Sequence, residues 1–251
     1  MERTELTGRR KIAPEYYARR EVWQRKPQIR LVYERWVKRM LPFLPEEGPL
    51  LEVGSGSGLL RDFIPQAILT EIVDLPWIDC VADCMNIPFE NGALAGVIGL
   101  DLLHHLDYPH SFLEEVARVL KPGGKVLLIE PYLTFFSLLG YKFLHHEDIY
   151  FKDYQTGNQG KKEPWKGNLA LANLVFSRDI KNWASLHPSL KITHRELFSF
   201  SDYTCAAGFK SYAYIPHVFF RYLVKIDNCL SWLMPLIGFR IFVVLEKRGK
   251  N

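Results

Sequence analysis

Three glycines and three acids carry the chemistry available to this sequence. Gly54, Gly56 and Gly58 alternate with Ser55 and Ser57 directly after the apolar run Leu50–Val53. Glycine has no Cβ, so such a segment turns sharply and lets its backbone approach a ligand. A glycine turn between a strand and a helix suits a dinucleotide, or an adenosine carrying another tail. The dinucleotide fingerprint asks for Gly or Ala three positions after the second glycine; this chain has Leu59 there. Glu52, two residues before Gly54, would repel a pyrophosphate and attract an ammonium. The charges favour an adenosine whose tail ends in a cation.

Two further acids extend that reading. Glu71 closes the second apolar run, where a carboxylate accepts hydrogen bonds from both ribose hydroxyls; Asp74 is its rival but lies past the run. Asp83 ends the third run, placed to accept from the exocyclic amine of adenine. Each acid alone is an ordinary surface carboxylate; three at successive strand ends beside a glycine turn are a pattern. The ligand that fits is S-adenosylmethionine. Its expected contacts are Glu52, Gly54, Ser55, Gly56, Gly58, Glu71, Ile72, Asp83, Cys84, Met85 and Leu100.

The residues from about Leu50 to Tyr132 resemble the class I S-adenosylmethionine-dependent methyltransferases, especially the methyltransferase type 11 and ubiquinone-methyltransferase-like group. The resemblance rests on Glu52-Val53-Gly54-Ser55-Gly56-Ser57-Gly58, Ile87-Pro88-Phe89, Leu103-His104-His105-Leu106 and Arg118-Val119-Leu120-Lys121-Pro122-Gly123-Gly124. It implies that the first segment is motif I, Glu71 the ribose acid and Asp83 the adenine acid. It covers about a third of the chain and says little of the methyl acceptor.

Methyl transfer is an in-line displacement at an activated methyl, so holding the acceptor collinear supplies much of the catalysis. A base is needed where the acceptor must lose a proton. Candidates are Asp101, His104, His105, His145, His146 and Glu147. His104, just after the fourth strand, and the pair His146 and Glu147 are the catalytic expectation; the bland alternative for His104 is that it only shapes the pocket. Consecutive residues on a helix fan outward, so His145 to Asp148 is not read as a metal cluster. Gly167-Asn168-Leu169-Ala170 is a candidate second wall.

These residues need a scaffold that brings strand ends together. Apolar runs at Leu50–Val53, Ile68–Val73, Cys80–Asp83, Leu94–Asp101, Lys125–Glu130, Leu190–Phe198 and Phe239–Lys247 read as strands. Pro109–Leu120 reads as a helix with the stripe Phe112, Val116, Val119 and Leu120. Alternation at this spacing predicts an α/β, Rossmann-like, doubly wound sheet of seven strands, the last antiparallel, with helices on both faces. Residues 1–251 are expected to form one catalytic domain. It would carry an N-terminal helical lid at 1–45 and substrate-side insertions at 133–188 and 199–238.

Composition narrows the setting. Nearly half the residues are hydrophobic and about a quarter charged, as in a soluble globular chain. A net charge of +4 is short of a nucleic-acid footprint, and Leu100-Asp101-Leu102-Leu103 stands where a base-binding Asn-Pro-Pro-Tyr would be. The first forty residues are nonetheless basic and aromatic, through Arg19, Arg20, Arg35, Tyr16, Tyr17, Tyr33 and Trp36 among others. They suit a solvated amphipathic helix pair packed on the domain, or a lid or a surface for anionic lipid or substrate. Cys80, Cys84, Cys205 and Cys229 show no CxxC spacing and read as reduced thiols of a cytoplasmic protein. The apolar stretch Cys229–Leu245 is interrupted by Pro235, Gly238 and Arg240, which argues against a membrane span and leaves peripheral membrane contact open. The expected function is methyl transfer to an O or N atom of a small molecule, a lipid-linked or saccharide intermediate being the candidate acceptor. The alternatives are a nicotinamide-dependent oxidoreductase and a non-catalytic binding protein of the same fold. The sequence does not set the oligomeric state.

Overall fold

Residues 2–144, 148–151, 167–200 and 202–249 are described by the computed structural model. Seven strands form a sheet: β1 (Leu50–Val53), β2 (Ile68–Glu71), β3 (Cys80–Val81), β4 (Leu94–Leu100), β5 (Leu120–Pro131), β6 (Leu190–Phe198) and β7 (Arg240–Lys247). Their order is β3-β2-β1-β4-β5-β7-β6. β1 is parallel to β2 and β4, and β4 to β5, while β7 runs antiparallel between β5 and β6. This is the expected seven-stranded mixed Rossmann-like sheet with its last strand reversed. The chain leaves β1 outward through β2 and β3, then returns to β4 on the other side. That reversal opens a crevice at the C-terminal ends of β1 and β4.

Side-chain alternation divides the core into two layers. On β5, Val126 and Leu128 enter one cluster while Leu127 and Ile129 enter the other. β7 repeats this, with Ile241, Val243 and Leu245 on one face and Phe242 and Val244 on the opposite one. The first face is covered by α3 (Pro109–Val119), through Phe112, Leu113, Val116 and Val119. The second is covered by α2 (Pro27–Met40), through Ile29, Val32, Trp36, Val37 and Met40. β4 reads irregularly in sequence because Gly96 and Gly99 leave room for neighbours: an added Cβ would lie 2.7 Å from Leu50 and 2.9 Å from Leu128.

The two insertions behave differently from each other. Within 133–188, α4 (Phe135–Leu144) lies outside the two main layers, but the stretch from α5 (Leu171–Asn173) to α6 (Trp183–Leu186) is core. Leu171, Ala172, Leu174, Val175, Phe176 and Trp183 pack in the same cluster as α3. That half is the cover of the sheet between β5 and β6 rather than an insertion on the substrate side. Between α5 and α6 the backbone passes through π and 3-10 turns, Leu174–Arg178 and Asp179–Asn182, which erase the 3.6-residue period.

Segment 199–238 holds α7 (Asp202–Ala206), α8 (His217–Cys229), a 3-10 turn (Ser231–Leu233) and α9 (Met234–Ile237). Buried polar bonds fasten it to the N-terminal helices. Arg35 of α2 pairs with Asp202 at 2.5 Å and Asp227 at 3.3 Å, and donates to Asn228 Oδ1 at 3.0 Å. Lys26 Nζ, between α1 (Glu2–Arg25) and α2, donates to the carbonyls of Gly208, Lys210 and Tyr212 at 2.8–2.9 Å. No helix among the described residues is long and apolar enough to cross a membrane.

Removing one partner of a buried ion pair leaves the other charge stranded and costs about 3–5 kcal/mol. Arg35→Met strands two buried carboxylates, so a loss of this size is expected in a denaturant titration. A change below about 1 kcal/mol would show that the pair does not hold the segment down.

Candidate functional site

After Val53 the backbone turns left-handed at three glycines in alternation, with φ of +65° at Gly54, +50° at Gly56 and +66° at Gly58. The loop is held from several sides. Ser55 N–H donates to Thr70 O at 2.9 Å and Gly56 N–H to Glu71 Oε2 at 2.9 Å. The Trp77 indole N–H donates to Gly56 O at 2.9 Å, and Arg20 of α1 to Ser57 O at 2.8 Å. A Cβ on Gly58 would sit 2.5 Å from Trp77, and one on Gly56 3.3 Å from Tyr16. The loop forms one wall of a cleft of about 380 Å³ at the strand ends, within the range of small-molecule sites.

The predicted acids lie in or beside this cleft. Glu52 is only 3 % exposed, and its Oε2 has no hydrogen-bond partner. Burial pushes its carboxyl from 4.5 up to about 8. Glu71 is buried beside it and accepts N–H bonds from Gly56 and Ile72, each at 2.9 Å. Burial raises its carboxyl, with those backbone donors pulling the other way. Asp83 is at the exposed rim, its Oδ1 accepting the Met85 N–H at 2.8 Å. Asp74 is exposed and does not line the cleft. Gly54, Ser55, Gly56, Ile72, Cys84 and Leu100 do line it. Gly58 and Met85 do not: Gly58 is under Trp77, and Met85 packs toward the main core. The Cys84 thiol is pushed up to about 12 by burial, so it is protonated at neutral pH.

At the other end the walls come from the turn after β4. Asp101 adopts φ +51°, unusual for a residue with a side chain, and pairs with the buried Arg240 at the start of β7. Burial opposes ionisation of Asp101, yet the Arg240 guanidinium outweighs it and holds the carboxyl below its usual range. The fully buried Glu130 accepts N–H bonds from Leu102 at 2.9 Å and Leu103 at 2.7 Å, and meets His104 Nδ1 at 2.7 Å. Burial keeps both members uncharged, the imidazole pushed down to about 4 and the Glu130 carboxyl up to about 8. Asp101, His104 and Glu130 bring potential ligand atoms within 4.8 Å of one another. Arg240 and backbone N–H groups already engage the two carboxylates. Tyr16, Arg19, Tyr33, Tyr141, Leu169, Tyr203 and Phe209 complete the lining.

Against known families, residues 24–210 match the one described as Methyltransferase domain. The chain belongs to this family. Its fold is also that of solved methyltransferases. A chain of the Haloferax volcanii complex between the Trm112 methyltransferase activator and a methyltransferase aligns at a TM-score of 0.53 and 15 % identity, covering 97 % of this chain and 98 % of that one. A SAM-dependent methyltransferase from Archaeoglobus fulgidus aligns at 0.53 and 15 % identity, covering 87 % and 94 %.

In this methyltransferase-family chain, His104 is the one catalytic expectation that can be placed, and it lines the cleft. His146 and Glu147 lie outside the described residues. The expected second wall is represented by Leu169, while Asn168 N–H donates to the His104 carbonyl at 2.7 Å. Of the N-terminal aromatics, Tyr16 and Tyr33 reach the cleft. Tyr17 meets Trp77 edge-on at 4.9 Å, and Trp36 is buried beneath Arg240. Sequence reasoning missed Arg240 as a site residue, although an arginine inside an apolar segment was a usable signal. Tyr141, Tyr203 and Phe209 gave none.

Glu52 holds in the fold a proton that the unfolded chain sheds near 4.5. The stability it contributes is therefore fully present below about pH 4.5 and is lost as pH rises through about 8. Glu130 acts in the same direction. Glu52→Gln should flatten, without abolishing, the fall in thermal midpoint between about pH 5 and pH 9. An unchanged slope would mean that Glu52 is ionised in the fold.

Proposed function

We propose that the chain transfers the methyl group of S-adenosylmethionine to an oxygen or nitrogen of a small molecule. One observation carries the cofactor: the buried Glu52 carboxyl, with an unpartnered oxygen, at the glycine-loop end of the cleft. A buried acid with one oxygen left unpartnered is costly, and an ammonium supplies both the opposite charge and a donor. A pyrophosphate supplies neither, which disfavours the nicotinamide reading. Glu71 accepts from the ribose hydroxyls, its neighbour Gly56 giving close backbone access. Asp83 accepts from the adenine amine at the rim, with Ile72, Cys84 and Leu100 flanking the base.

When bound, S-adenosylmethionine supplies a sulfonium methyl already activated for displacement. The chain's part is placement. An uncharged His104 does not repel the sulfonium, and its ring, fixed by Glu130, can hydrogen-bond and orient an acceptor hydroxyl or amine. Tyr33, Tyr141, Tyr203 and Phe209 wall the acceptor end and limit water. The N-terminal helices serve as the roof, through Tyr16, Arg19 and Tyr33. The apolar side chains exposed on α4 and α8 favour a lipid-linked acceptor over a free saccharide.

Calorimetry with S-adenosylmethionine, S-adenosylhomocysteine and NAD tests this. Both sulfur ligands should bind and NAD should not. The ammonium lowers the Glu52 pKa from about 8, so binding near neutral pH should release protons, seen as a buffer-dependent heat. Glu71→Ala should weaken both sulfur ligands about ten- to a hundredfold with the thermal midpoint retained. Unchanged affinity would remove the ribose assignment. Failure of both sulfur ligands to bind wild type would remove the enzyme reading.

A further inference from the structure

Two helices well separated in sequence expose the same pattern to solvent. On α4, Phe135, Phe136, Leu139 and Phe143 are 69, 50, 47 and 84 % exposed. On α8, Val218, Phe219, Tyr222 and Ile226 are 70, 62, 61 and 48 % exposed. In both helices the apolar residues fall at i, i+1, i+4 and i+8, and a lysine falls at i+7, Lys142 in one and Lys225 in the other. At 3.6 residues per turn this is an apolar arc about 100° wide with a cation along one edge. The inward faces are conventional: Ser137 and Tyr141 are buried on α4, Phe220 and Asp227 on α8. The helices are linked in space, since α9 packs against α4 and the turn Ser231–Leu233 follows α8. Trp232 on that turn and Leu236 on α9 are 74 and 52 % exposed.

This density of exposed aromatic and aliphatic side chains marks an interaction surface. The charges choose its occupant. The exposed faces carry Lys142, Arg221 and Lys225, and no acid: α4 contains none, and Asp227 of α8 is turned inward onto Arg35. An apolar stripe edged by long basic side chains fits the boundary between acyl chains and anionic headgroups. There the stems stay in the apolar layer and the ammonium or guanidinium reaches phosphate. A protein partner would instead desolvate lysines against its own apolar surface, which interfaces avoid. The geometry points to α4 and α8 as an interfacial, non-spanning docking surface for an anionic phospholipid bilayer. Tyr141 lines the cleft from the inner side of α4, so docking brings the cleft to the lipid boundary.

The test is flotation of the full chain with vesicles of phosphatidylcholine alone, or of phosphatidylcholine with an equal part of phosphatidylglycerol. The protein should float with the anionic vesicles, far less with the neutral ones, and less at high salt. Its tryptophan emission should shift to the blue, a shift largely lost in Trp232→Phe. The double variant Phe143→Ser with Phe219→Ser, at sites too exposed to disturb folding, should keep its thermal midpoint and lose flotation by about tenfold or more. Lys142→Glu with Lys225→Glu should abolish the preference for anionic lipid. The inference is overturned by no flotation with either vesicle, or by flotation that the serine variant leaves intact. It is equally overturned if sedimentation equilibrium finds a dimer that the serine variant returns to monomer, because a second copy then covers the face. Vesicle binding is read without turnover, so its failure is distinct from failure of the methyl-transfer reading.

Discussion

A buried arginine holds one end of this cleft in place. Arg240 is 3 % exposed at the first position of β7, pairs with Asp101 beyond β4, and lies over the rings of Trp36 and Tyr203 at 4.8 and 4.4 Å. It therefore joins β7, the turn after β4, α2 and α7. A guanidinium out of water is tolerable only where its charge is answered and its flat faces are covered. Asp101 answers the charge from a backbone conformation that L residues seldom adopt. Once Asp101 is pinned, the chain that follows is positioned for Glu130 to collect the N–H groups of Leu102 and Leu103 and the His104 ring. The neighbouring link from Arg35 to Asp202 and Asp227 secures the same helices from behind.

The electrostatics of the cleft follow from where water is excluded. Glu52, Glu130 and His104 are each buried enough that desolvation dominates, and all three are driven toward their neutral forms. Asp101 is half-buried and also loses water, yet it stays ionised because Arg240 touches it. Burial alone does not decide protonation; a fixed counter-charge does. In the proposed reading a cationic ligand brings that counter-charge to Glu52. The empty site then holds a proton that the filled one has no reason to keep.

How much could be read in advance depended on how local the determining contacts were. The glycine loop, Glu52, Glu71 and Asp83 sit at strand ends within some thirty residues of each other. The alternation of β5 and β7 between two core layers left apolar runs that any reading of period recovers. The stretch Leu171–Leu186 was misjudged as a substrate-side insertion because π and 3-10 turns destroy helical spacing while its side chains still fill the core. Gly58 and Met85 were expected cofactor contacts, yet one serves the turn and the other the core. Arg240, Tyr141 and Tyr203 meet only after long-range packing, and nothing local announces which way they face.

That contrast separates the two halves of the cleft physically. The glycine-loop half depends on one contiguous region whose loop tolerates little, since a Cβ at Gly54 would lie 2.7 Å from Leu102. The opposite half is assembled from Tyr33, Tyr141, Leu169, Tyr203, Phe209 and Arg240, carried on five separate segments. Substitutions in those segments can reshape that end of the cleft without touching the glycine loop. The cost of each depends on whether it disturbs the arginine links that hold the segments together. Tyr141 shows such a tie: its hydroxyl donates to the Phe239 carbonyl at 2.9 Å, beside Arg240, so this wall of the cleft is linked to the start of β7.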